Sequence, residues 1–74
     1  MFCTVKLLWD EETRLWSTDA DEVLCLVLES DSFDVLIERV RLAAPELLEI
    51  NHGYKGPVQL RFEVERIDTL NKAS

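Results

Sequence analysis

The residues in this chain equipped to do more than pack are its carboxylates. Nine of the fifteen fall between Asp10 and Asp34, where Arg14 is the sole basic side chain. Carboxylates that converge in a cleft can hold divalent cations and support two-metal hydrolysis of a phosphodiester. Here most fall in short polar stretches between apolar runs, where acids are common because they accept backbone N–H bonds in turns. They read as a negatively charged end suited to a basic protein partner. The alternatives are an end that is merely solvated and a relic metal-dependent nuclease. The acids that gather at that end, once the elements below are placed, are Asp10, Glu11, Glu12, Glu29, Asp31 and Asp34.

Other chemistry lacks its residues. His52 stands in a loop, and no recognisable motif places a cysteine or serine beside it, so nucleophilic catalysis has no support. Cys3, Cys25 and His52 are scattered, with no short-spaced pair of the kind a zinc site uses. There is neither a glycine-rich phosphate loop nor a basic patch. The expectation is no catalytic residue, no metal and no cofactor.

The elements that must position these groups follow from periodicity. From Ser32 to Ile50, apolar residues recur at Phe33, Leu36, Ile37, Val40, Ala43, Ala44, Leu47 and Leu48, the spacing of one helical face. Ser32 is the expected N-cap, Asp34 complements the first turn, and Asn51 and Gly53 are stop signals. Pro45 removes the bond to the Arg41 carbonyl and should bend the helix. Phe2–Asp10 and Leu15–Ala20 alternate as strands joined by a polar loop. Pairing Asp10 with Leu15 would set Trp9 opposite Trp16. After Pro57, the residues Val58, Leu60, Phe62 and Val64 alternate with Gln59, Arg61, Glu63 and Glu65 as a last strand.

Val23–Glu29 reads as the third strand. Its residues Val23, Leu24, Cys25, Leu26, Val27 and Leu28 are all apolar, as in strands buried on both faces. The fold expected is α+β, in the order β-β-β-α-β. Hairpins make the first three strands antiparallel, and the helical crossover lays the fourth beside and parallel to the first. The sheet order is then third, second, first, fourth, with the one helix covering one face. That leaves the third strand as an apolar edge beside an uncovered face. Self-association through residues 23–28 as a homodimer is the expectation.

Length and charge bound the rest. Seventy-four residues make one domain with a modest core. A net charge of −7 disfavours binding to nucleic acid. The start MFCTVKLLWD carries no signal-peptide pattern, and no run approaches the length needed to span a membrane. Two cysteines in apolar runs point to a reducing cytoplasm.

Three stretches, VKLLWDEETRLW at 5–16, LVLESDSFDVLIE at 26–38 and APELLEIN at 44–51, resemble the HicB-like antitoxin domains of bacterial toxin–antitoxin systems. The likeness is greatest to a short branch long described only as a domain of unknown function, and it runs to about Val64. It implies a degraded ribonuclease H-like fold, taken here over 1–67; residues 68–74, at the terminus, are expected to fray as a C-terminal tail. It implies a non-catalytic module that masks a small basic ribonuclease toxin. An orphan homo-oligomeric domain without a toxin is the alternative. Where family members often carry Pro-Gly, this chain has Leu24 and Cys25. Complete family members also carry a C-terminal DNA-binding domain, for which there is no room before Ser74, so DNA binding by this chain is not expected.

Overall fold

The computed structural model describes residues 1–72. In chain order the elements are β1 (Phe2–Asp10), β2 (Leu15–Ala20), β3 (Glu29–Ser30), α1 (Phe33–His52) and β4 (Gln59–Glu65). The sheet order is β3-β2-β1-β4, with β1 antiparallel to β2, β2 antiparallel to β3 and β1 parallel to β4. This is the expected α+β topology. The register also follows expectation: Asp10 lies opposite Leu15 and Trp9 opposite Trp16.

Helix α1 forms where the sequence has its caps. Ser32 Oγ accepts the Val35 N–H at 3.3 Å. Gly53 takes the left-handed conformation (φ 64°) and donates to Glu49 O at 2.9 Å, a conformation that glycine adopts without steric penalty. Leu36, Val40, Ala44 and Leu48 form a four-residue repeat along the helix and are fully buried against Cys3, Val5 and Leu7 of β1 and Trp16 of β2. Burying a leucine or valine of this kind contributes about 1.5–3 kcal/mol. The other face of the sheet carries Thr4, Lys6, Leu8, Ser17, Arg61 and Glu63 and is not covered by α1. Its Lys6 Nζ stands 3.9 Å from Glu65. At the opposite end from the acidic turns, Tyr54 Oη donates to Pro57 O at 2.6 Å, and the Met1 ammonium donates to both Tyr54 Oη and Pro57 O, tying the start of β1 to that of β4.

The third strand needs correction. Val23, Leu24, Cys25, Leu26, Val27 and Leu28 do not form a strand, and β3 is only Glu29–Ser30. Asp21 turns the chain out of the ladder. Its N–H donates to Thr4 O at 3.2 Å, but its side-chain Oδ2 replaces the carbonyl as acceptor for Thr4 N–H at 3.1 Å. The freed carbonyl accepts Cys25 N–H at 2.9 Å, and Oδ1 accepts Leu24 N–H at 3.0 Å. Cys25 then sits at φ 51°. Farther on, Thr18 N–H donates to Leu28 O while Thr18 Oγ1 accepts Leu28 N–H at 2.9 Å, so a hydroxyl stands in for a ladder partner. The segment lies along the core instead of extending the sheet. Leu24 and Leu26 are buried in that core, whereas Val23, Cys25 and Val27 are exposed. Three apolar side chains on each sheet face, as expected from the sequence, are therefore not what the six residues provide.

Candidate functional site

The acidic end is built on two connections. In the β1–β2 turn, Asp10 Oδ1 accepts the N–H of Glu12 at 2.9 Å and of Thr13 at 3.4 Å, and Arg14 N–H closes onto Asp10 O at 2.8 Å. Arg14 adopts φ 58° to make that closure. These bonds leave Glu11 and Glu12 projecting from the turn. At the β3–α1 junction, Glu29 begins β3, Asp31 precedes the Ser32 cap and Asp34 stands in the first helical turn, where a negative charge meets the positive end of the helix dipole. The strand directions put both connections at one end of the sheet. All six acids are exposed, while Ser32 and Phe33, between Asp31 and Asp34, are half-buried.

Asp10 and Glu29 come together in one shallow hollow of about 140 Å³, lined also by Thr13, Leu15 and Ser17. None of the six acids forms a salt bridge among the described residues. No three His, Cys, Asp or Glu side chains among those residues converge as metal ligands would. Asp10 and Glu11 are engaged by backbone N–H groups, Glu11 Oε1 accepting Thr69 N–H at 3.1 Å.

Beneath the turn lies an aromatic cluster. The Trp9 and Trp16 rings are 5.1 Å apart, and Phe33 meets Trp16 edge-on at 4.9 Å. The Arg66 guanidinium lies 4.5 Å over the Trp9 ring and 5.6 Å from that of Trp16, in cation–π range. Asp68 holds Arg66 through two bonds, of 2.8 and 3.2 Å, which push the guanidinium's pKa further up. Sequence reasoning missed Arg66. Its signal was indirect: a last strand parallel to the first and in register at Leu8–Glu65 must deliver residue 66 beside Trp9.

The residues expected to self-associate divide. Leu24 and Leu26 belong to the core and are unavailable to a partner, while Val27 is 83% exposed. His52, in the last turn of α1, holds the Val23 carbonyl through Nε2 at 2.7 Å. Leu28 lines a groove of about 260 Å³ with Arg39, Leu42, Ala43 and Glu46 of α1. Val35 and Leu42, seven residues apart on the helix, are exposed. Sequence reasoning did not single out these two exposed helical positions, whereas the exposed Val27 lies apart from them, beside Asp19, Asp21 and Cys25. A seven-residue apolar spacing outside the main helical stripe was the only trace of the helical pair.

Residues 2–71 match the family described as a domain of unknown function, DUF1902. The chain belongs to the DUF1902 family. The fold of this DUF1902 domain is also similar to the crystal structure of a hypothetical protein from the extremely thermophilic bacterium Thermus thermophilus, with a TM-score of 0.75 and 32% sequence identity over 95% of this chain and 100% of that one. No curated protein matches the chain. No helix of the described residues is long and apolar enough to cross a membrane.

Proposed function

We propose that this DUF1902 domain is a non-catalytic protein-binding module of the antitoxin type, a degraded ribonuclease H-like HicB domain that covers a small basic ribonuclease toxin in the cytoplasm. The observation that carries the reading is the acidic end. Asp10, Glu11, Glu12, Glu29, Asp31 and Asp34 stand on two neighbouring connections without salt-bridge partners among the described residues. In a chain of net charge −7 they offer a basic protein a complementary field that speeds encounter and sets orientation. Exposed apolar side chains on α1, Val35 and Leu42, supply burial that charge alone does not.

The same geometry argues against a relic nuclease. Asp10 spends its Oδ1 on the turn, Glu11 accepts Thr69 N–H, and only Asp10 and Glu29 share a hollow, so no three acids converge among the described residues. The reading is tested by co-expressing the chain with the product of a neighbouring gene that encodes a small basic protein. The expected result is that growth arrested by that protein alone is restored by the intact chain. Rescue should fail when Asp10, Glu29, Asp31 and Asp34 are replaced together by lysine. Undiminished rescue by that variant, or toxicity that persists with the intact chain folded and abundant, speaks against the proposal.

A further inference from the structure

We infer that β4 pairs with β4 of a second copy of this chain, antiparallel about a two-fold axis at Phe62, to make one continuous eight-stranded sheet. The inference is independent of the toxin reading. Third and fourth strands are both edges, as the expected order has them, but the third is much shorter than its sequence suggests. One edge is the two-residue β3; the other is the seven-residue β4. Gln59 N–H donates to Met1 O at 2.8 Å, so Gln59, Arg61, Glu63 and Glu65 turn their backbone groups toward β1. By the alternation of a strand, Leu60, Phe62 and Val64 turn theirs outward. Among the described residues no side chain, turn or loop takes up those outward groups.

Free edges of this length are normally blunted by proline, a bulge or charges that repel a second strand. Between Gln59 and Glu65 there is no proline, and the charges are ordered so that a second copy attracts. With the axis at Phe62, Arg61 faces the partner's Glu63 on both sides of the axis. Gln59 faces the partner's Glu65, Leu60 the partner's Val64, and Phe62 its own copy. Moving the axis by one residue sets Arg61 against Arg61 or Glu63 against Glu63, and directly opposed like charges destabilise a pair. The axis at Phe62 also makes Leu60, Phe62 and Val64 the hydrogen-bonded positions, which are the ones whose backbone groups point outward.

The apolar side agrees. Leu60, Phe62 and Val64 lie on the face that carries α1, yet Val64 is 54% exposed and Phe62 only half-buried, because β4 is the outermost strand. A two-fold axis perpendicular to the sheet keeps both helices on one face and closes these side chains against their counterparts. The contact is isologous, so it terminates at a dimer and leaves no second β4 edge to propagate.

Sedimentation of the full chain over the micromolar range tests this. The expected species is a dimer. Glu63→Arg, on the solvated face, sets arginine against arginine twice and should weaken the dimer on the order of ten- to a hundred-fold. Arg61→Glu should do the same by setting glutamate against glutamate, and it serves if Glu63→Arg folds poorly beside Lys6. The double variant Arg61→Glu/Glu63→Arg restores the complementary pairs and should recover the dimer, which a merely structural role for either residue would not produce. A strict monomer, a dimer indifferent to both single changes, or a double variant no better than the singles overturns the inference.

Discussion

Replacing Asp21 with alanine should unfold the domain, although the residue lies in a polar turn. The carboxylate accepts two backbone donors, Thr4 N–H at 3.1 Å and Leu24 N–H at 3.0 Å, both partly buried. Hydrogen bonds to a charged group contribute about 1.5–3 kcal/mol each, and a buried donor left without a partner costs about as much. Losing both therefore costs about 3–6 kcal/mol, against a stability of about 3–5 kcal/mol for a domain of this size. Asp21→Asn keeps one acceptor oxygen and should lose about half as much, leaving a folded protein with a lower urea midpoint. Urea titration followed by Trp9 and Trp16 fluorescence and by far-ultraviolet circular dichroism, at one fixed protein concentration, measures both. An exposed turn residue with no such role changes stability by no more than about 0.5 kcal/mol. An Asp21→Ala protein that loses less than about 1 kcal/mol would refute the claim that this side chain ends the ladder.

Further substitutions and thiol labelling test individual positions. Leu26→Asp should unfold the domain, whereas Val27→Asp, at a neighbouring but exposed position, should leave its urea midpoint nearly unchanged. Gly56→Ala should lower the melting temperature by several degrees, because an added Cβ runs into the Tyr54 ring and hydroxyl, which tie β1 to β4. Cys25 should react with a thiol reagent in the folded protein and Cys3 only on unfolding. Burial, with the Asp21 carboxylate adding to it, pushes the Cys3 thiol pKa up. That contribution to stability is complete below the unfolded thiol's pKa and is lost as pH rises through the higher folded value, so an alkaline urea series should show a loss that Cys3→Ala abolishes.

Strand order, the Trp9–Trp16 register and both caps of α1 were legible because each rests on a local signal: alternation, a short polar loop, Ser32 and Gly53. Residues 23–28 were not, for a physical reason. Six consecutive apolar residues satisfy a strand buried on both faces, and equally a strap that sends Leu24 and Leu26 into the core. The outcome was decided by the Asp21 carboxylate and the Thr18 hydroxyl, which replace backbone partners, and by a left-handed cysteine that no propensity favours. The third strand is an edge as expected, but it is two residues long, so β4 is the longer free edge. The grouping of Asp10 and Glu29 could be read from topology, while the stacking of Arg66 on Trp9 needed the parallel register of β4.

The claim that the acidic end receives a basic partner is tested most directly by calorimetric titration. The full chain would be titrated with a small basic protein encoded by a neighbouring gene, as the proposed function requires, at low and at near-physiological salt. The account predicts saturable binding that weakens as salt screens the acidic end and is lost when Asp10, Glu29, Asp31 and Asp34 are changed together to lysine. Absence of binding at low salt, or binding that the four lysines leave intact, would contradict it.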